Sequence, residues 1–281
     1  MASQRLLEVF LNTKQILCQS DYYIHIPKKI IRLTNSENMI PHLMGMQYIG
    51  KHDMFTGDKG AYMIKKGRLK YESLEKLVKK YYQGERKQAS LLAMVNGKID
   101  NLYRIETMLS TYSVLYLYDV AANPESELKT DYLLVKQLDE MVLQLGMVKA
   151  DNKKVQEYHC NSFMADYKRN ADYDLHYRNL THCYEINKIV REDKVTKRAE
   201  VIYQSLEAKE REKFGIRKMF DAADIPSDEK LIKAVLRLNK KFGIYHKLDM
   251  LNDRDTLIQK CTDKREKALV LDFLALREEN L

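Results

Sequence analysis

Three of the chain's seven histidines, His159, His176 and His182, fall within Tyr158–Ile189, together with Cys160, Cys183 and five tyrosines. Inside that window a polar, turn-rich run, KRNADYDLHYRN, separates EYHCNSFMADY from THCYEINKIV. Both flanks read as strands, the second closed by Cys183, Ile186 and Ile189. A loop bearing His176 and Tyr177 between two strands is a place for acid–base or nucleic-acid chemistry, and a solvated hairpin with structural tyrosines accounts for it equally simply. A second candidate is His42, just after Pro41 in NSENMIPHLMGM. Proline is tolerated only near a helix start, so a helix beginning near Met39 carries His42 in its first turn. There the positive end of the helix dipole favours the neutral imidazole, which can accept a proton, although a lone histidine that packs or caps is the commoner case. Arg104 is the third, in GKIDNLYRIETMLSTY. Helical spacing puts Leu102, Ile105 and Leu109 on one stripe with Arg104 beside it. Its fixed fork of donors suits a phosphate, and an ion pair with Asp131 or Asp119 suits it as well.

These residues need elements to hold them. The spacing of Leu6, Leu7, Phe10, Leu11 and Leu17 predicts a first helix, with Ser3 as its cap. YYIHI and KIIRLT, separated by Pro27 and Lys28, form a hairpin. Gly45 is expected to lie close to a partner backbone. Residues 51–67 read as a loop, and Tyr71–Tyr82 as an amphipathic helix whose Leu74, Leu77, Val78 and Tyr81 share a face. VLYLYDV, DYLLVKQL and MVLQLGMV are strand candidates. After Val190 the pattern becomes charged and helix-forming, and Ser227 and Gly243 bracket one well-marked helix. The expectation is an α+β fold, N-terminal helices with a mostly antiparallel sheet over residues 1–192, followed by an all-helical region over 193–281.

The net charge is +8, and residues 28–104 alone hold 16 Lys+Arg against 7 Asp+Glu, a local excess of +9. Such a patch suits an anionic partner such as nucleic acid, with Lys51, Lys76, Lys79 and Lys80 as candidate phosphate contacts. The four cysteines are scattered without a CxxC, which argues against a disulfide framework or a zinc site and for a reducing compartment. Charges interrupt the apolar N-terminal stretch, so no signal peptide is expected, nor is any run long enough to span a membrane. A cytoplasmic protein is the expectation. Walker, dinucleotide, HExxH and GxSxG motifs are absent, which leaves ATP hydrolysis, nicotinamide chemistry and zinc proteolysis without support. No metal or cofactor is expected.

Four short motifs occur in order: His42, Leu43 and Gly45; Arg104 and Ile105; Asp131, Tyr132, Leu133 and Leu134; and Ser162 and Phe163. Together they resemble the phage- and mobile-element-associated nuclease domains of the barnase–EndoU–colicin–RelE superfamily, over roughly Tyr22 to Val190. The segment after Tyr173 departs from the pattern, with His176 and Tyr177 in place of small turn residues. The resemblance implies metal-independent RNA cleavage, in which a base takes the ribose 2′-OH proton and an acid protonates the leaving oxygen. It casts His42 as base or acid, Arg104 as phosphate clamp and Ser162 as a donor to the phosphate, with Tyr177 and His176 as further proton donors. The biological role it implies is that of a toxin or phage-defence effector. Two other classes compete: a non-catalytic nucleic-acid-binding protein, and an interaction protein whose C-terminal helices dock an antitoxin or a second copy.

Overall fold

A computed structural model describes residues 5–50, 54–83, 88–150 and 157–210, with the isolated positions 229, 232, 233 and 271. The chain divides into two compact units, Met1–Ile189 and Val190–Leu281. The first opens on helix α1, Arg5–Leu17, which buries Leu6, Phe10 and Leu17 at helical spacing. The expected hairpin follows as β1, Ser20–Ile26, and β2, Lys29–Leu33, with Lys28 at φ 62° in the two-residue turn. Helices α2 (Ile40–Leu43), α3 (Gly57–Lys65), α4 (Leu74–Tyr81), α5 (Gln88–Asn101) and α6 (Ile105–Ser110) come next. Strands β3 (Val114–Leu117), β4 (Tyr132–Gln137), β5 (Met141–Lys149), β6 (Glu157–Tyr167) and β7 (Cys183–Glu185) complete the unit.

Within this unit the strand order is β7-β3-β4-β5-β6-β2-β1. Every pairing described for it is antiparallel except that of β2 with β6, which is parallel and short, joining Arg32 to Glu157 and Leu33 to Tyr158. Past that point Asn35 takes over from the ladder, its Oδ1 accepting the Cys160 N–H at 2.7 Å. From Asn161 to Tyr167, β6 is therefore paired with β5 on one side and, among the described residues, with no strand on the other. Helices α2 and α5 pack against it instead. The register slips between Gly146 and Met147, so Asn161 is an extra residue in β6. Such a bulge reverses which side chains face which side. Cys160 and Phe163, both fully buried, face the helices, while Ser162, Met164 and Asp166 face the opposite side.

That second side carries its own apolar layer of Tyr118, Leu128, Leu133, Val135, Val142, Tyr177 and Leu180. The loops before β4 and after β6 lie over it, which is why both faces of β4 and β5 are buried and their sequences read as nearly continuous apolar runs.

Two sequence expectations are corrected. Residues 51–67 were expected to be a loop, yet α3 occupies Gly57–Lys65. Its Gly60 has no room for a side chain, since a Cβ there would sit 2.0 Å from the Phe55 carbonyl oxygen and 3.0 Å from Pro41 Cβ. Packing thus selects glycine in a helix where propensity disfavours it. The all-helical region after residue 192 is also overturned. Nine strands are described between Ser20 and Gln204, and the second unit begins with a hairpin of β8, Lys188–Asp193, and β9, Ala199–Gln204. Asp193 Oδ1 accepts the Val195 and Thr196 N–H groups at 3.0 and 2.7 Å, Lys197 takes φ 57°, and Arg191 pairs with Glu200 at 2.9 Å across the ladder. An aspartate turn and a cross-strand ion pair outweigh the helix propensity of the surrounding charged residues. The helices expected beyond residue 210, with Ser227 and Gly243, lie outside the described residues. Among the described residues no helix is long and apolar enough to cross a membrane.

Candidate active site

Helix α5 lays Val95 and Ile99 into the core, the 3-10 turn after it adds Leu102, and Lys98 shares that buried face. The residue is only 2% exposed, and its ammonium reaches the uncovered edge of β6 and donates to the Phe163 carbonyl. The passage runs past two glycines, of which Gly45 is the one that a side chain would block. A Cβ at Gly45 would meet Lys98 Cδ at 2.9 Å, and Gly45 holds φ +82°. Gly97 brings α5 close enough that its own Cβ would lie 3.9 Å from the Ala165 carbonyl oxygen. The partner to which Gly45 lies close is thus the Lys98 and Val95 side chains, rather than the backbone expected from the sequence. Burial lowers the Lys98 pKa to about 8, only partly offset by the attraction of Asp166.

Asp166 is the penultimate residue of β6 and the last on its second face. Burial raises its carboxyl pKa to about 6, against the opposing pull of Lys98 and a hydrogen bond from Gln144. Gln144 Nε2 donates to Asp166 Oδ2 at 2.8 Å, whereas the fully buried Gln144 Oε1 has no hydrogen-bond partner. Asp166 Oδ1 also has none among the described residues, so one lone-pair edge of the carboxylate is free.

His176, from the loop over this face, completes the group. Desolvation first, and then the Lys98 charge, lower its pKa and keep the imidazole neutral. Its Nδ1 lies 2.8 Å from Ser126 Oγ. That oxygen already accepts from the Tyr118 hydroxyl at 2.7 Å and from the Leu128 N–H at 3.2 Å. The Ser126 proton therefore goes to Nδ1, and the imidazole proton resides on Nε2. Neutral His176 is thus fixed as an Nε2–H donor. A carboxyl whose pKa is raised to about 6 and a neutral imidazole donor each lie within electrostatic reach of one buried ammonium, the kind of set that proton transfer at a phosphate needs.

The family model for the phage-Barnase-EndoU-ColicinE5/D-RelE like nuclease 4 matches residues 5–208. The chain belongs to this nuclease family. No curated protein and no solved structure matched it.

The other residues singled out in the nuclease sequence are placed as follows. His42 sits half-buried in α2 between the buried Pro41 and Leu43. That helix is only one turn long, so its dipole is weak, but the His42 carbonyl accepts the Gly45 N–H at 2.9 Å and closes the turn that seats Lys98. Arg104 ends a 3-10 turn after α5 that packs on α1, with its Cζ 5.4 Å from the Tyr103 ring centre. Its buried Nε has no hydrogen-bond partner. The carboxylates named as its alternative partners are used elsewhere, Asp131 on the Lys149 N–H at 2.6 Å and Asp119 on the Ala121 N–H at 2.8 Å. Ser162 pairs with Gly146 on β6 and shares the face of Asp166. Tyr177 is buried against Tyr116, ring centres 5.9 Å apart, and its pKa is raised by burial first and then by neighbouring tyrosines and acids. Among the described residues no hydrogen bond or ion pair links Arg104 or Ser162 to the Lys98–Asp166–His176 group. Lys76, Lys79 and Lys80 are exposed on α4, with Lys79 paired to Glu75, and Lys51 lies outside the described residues.

Sequence reasoning passed over Lys98, Gln144 and Asp166 in this nuclease. Two of them carried a signal: a lysine on the Val95–Leu102 apolar stripe, and a lone glutamine inside MVLQLGMV. Asp166 and Ser126 carried none, because both depend on which face the bulge presents.

Proposed function

We propose that this nuclease cleaves RNA through the ribose 2′-OH, with Asp166 as the proton-transferring carboxylate and His176 Nε2–H as donor to the scissile phosphate. The observation that carries the proposal is Asp166 itself, a half-buried carboxyl with a free oxygen edge and a pKa raised to about 6. Ionised, it takes the 2′-OH proton; the 2′-oxygen attacks phosphorus, the P–O5′ bond breaks, and the leaving 5′-oxygen takes its proton from solvent water. The Lys98 charge, too deep to touch substrate, stabilises that carboxylate and the negative charge gathering on the phosphorane. Ser162 shares this face but stands four residues, about 13 Å, from Asp166 along β6, so its hydroxyl serves a neighbouring phosphate and not the scissile one. His42 and Gly45 position Lys98, and Arg104, with no carboxylate partner, is a clamp for a more distant phosphate. Because the base acts on the 2′-OH, DNA is not a substrate.

The test is incubation of labelled single-stranded RNA and DNA with the protein in chelator. RNA cleavage leaving 2′,3′-cyclic phosphate ends, abolished in Asp166→Asn, is expected. Cleavage of DNA, loss of activity in chelator, or full activity in Asp166→Asn overturns the proposal. RNA binding without cleavage returns the non-catalytic alternative. A toxin or defence role predicts that expression arrests bacterial growth and that Asp166→Asn relieves the arrest.

A further inference from the structure

Lys29, at the turn of the first hairpin, lies far from the group just described. Its Nζ donates to the Tyr132 hydroxyl at 2.7 Å and to the Tyr158 hydroxyl at 3.5 Å. It also stands 5.0 and 5.7 Å from the centres of the same two rings. The rings meet edge to face at 5.3 Å, and Tyr184 joins the cluster with its ring 6.5 Å from that of Tyr132. Among the described residues no carboxylate pairs with Lys29. Asp131, which acts on Tyr158 electrostatically, is itself engaged by the Lys149 N–H at 2.6 Å. The half-buried ammonium is thus held by two phenol oxygens and by no carboxylate among the described residues.

The proton inventory points the same way. Both phenols accept from Lys29, so each keeps its own O–H to donate, and neither has another partner among the described residues. The ammonium spends two of its three protons on them and keeps one. Three donors of the right kind for phosphate oxygens therefore gather at one place, where Tyr132 and Tyr158 are 4% and 5% exposed and the half-buried Lys29 is the accessible member. Beside them Tyr184 is half-buried, with ring surface for a base. Cation plus aromatic platform is the combination that holds a single-stranded nucleic acid without reading its sequence.

We propose that Lys29, Tyr132 and Tyr158 form a second subsite, which binds a backbone phosphodiester of single-stranded RNA with an adjoining base against Tyr184. The proposal extends the nuclease reading but does not require its catalytic assignment. Tyr158 and Asp166 stand eight residues apart on β6, about 26 Å at the usual strand rise, and on opposite faces because of the bulge. Only an RNA of several nucleotides reaches both, so the subsite serves long substrates and is silent for a dinucleotide.

The experiment measures binding of a 2′-O-methyl oligoribonucleotide, which cannot be cleaved through its 2′-position, at several salt concentrations, for the full chain and for Lys29→Gln and Tyr158→Phe. Cleavage of a dinucleotide and of a long RNA is followed in parallel. Lys29→Gln is expected to weaken oligonucleotide binding by about tenfold and to lower the salt slope by about 0.7, the share of one phosphate contact on a single strand. KM for long RNA rises, and dinucleotide cleavage is unchanged. Tyr158→Phe, which keeps the ring, gives a smaller loss. Unchanged binding and salt slope in Lys29→Gln overturn the subsite, and so does an equal loss on dinucleotide and long RNA, which marks a structural role. If no RNA is cleaved by any protein but the Lys29-dependent salt slope is seen, the catalytic assignment fails and the subsite stands.

Discussion

The Lys98 ammonium donates to the Phe163 carbonyl, 65 residues away, at the stretch of β6 edge that β2 leaves uncovered. This bond ties the helix behind the sheet to the face on which Asp166 and His176 stand. It also sets the charge that both of them feel.

The pH dependence of cleavage follows from these two groups. Activity should rise as Asp166 ionises near pH 6 and fall as Lys98 loses its proton near pH 8, giving a bell between them. Stability behaves differently. The folded pKa of Asp166 lies above its ordinary 3.8, so the native state binds more protons and stability falls as pH rises from 3.8 to about 6. Urea unfolding across that window should show the fall in the parent and its loss in Asp166→Asn. A flat parent curve contradicts the burial of this carboxyl.

Gly45→Ala places a methyl 2.9 Å from Lys98 Cδ at a left-handed φ of +82°. A cost of about 1–2 kcal/mol in unfolding free energy is expected, from the backbone conformation and the displaced stem together. Cleavage should drop with it, since Lys98 can no longer reach its place. Gly67→Ala, also at positive φ but with open space around it, should show the backbone cost alone and keep activity.

The two polar groups on substrate should separate kinetically. Asp166→Asn should lower kcat by roughly 10²–10⁴, the range of a positioned acid–base group. His176→Ala should cost activity while leaving the acid limb of the pH profile in place, because that limb belongs to Asp166. Disappearance of the acid limb in His176→Ala would reassign the titrating base.

Exposed Lys76, Lys79 and Lys80 on α4 test the electrostatic footprint. Reversing all three to Glu should weaken RNA binding equally for unrelated sequences and flatten its salt dependence, as phosphate contacts do. Filter binding of two oligonucleotides of different sequence measures both. Unchanged affinity would leave these lysines as a solvated face.

Much of the scaffold was legible from local pattern. The 3.6-residue spacing of Leu74 and Val78 specified α4, the paired β-rich runs around Pro27 specified the first hairpin, and the ordered motifs from His42 to Phe163 specified the family. Those signals are local because periodicity is a property of one element and its nearest solvent boundary. The burial of Lys98, the raised pKa of Asp166 and the tautomer of His176 are not local properties. They arise where β2 stops after two residues of β6, where Asn161 reverses the strand's faces, and where the loop carrying Ser126 folds beneath His176. The same holds for β9, whose charged sequence reads as helix until Asp193 turns the chain and Arg191 meets Glu200. Residue type and spacing determined which elements form and which family they belong to. Which side chains lose their water, and therefore which of them titrate near neutrality, was decided only when distant elements closed over them, because desolvation belongs to the packed whole and to no segment of the sequence.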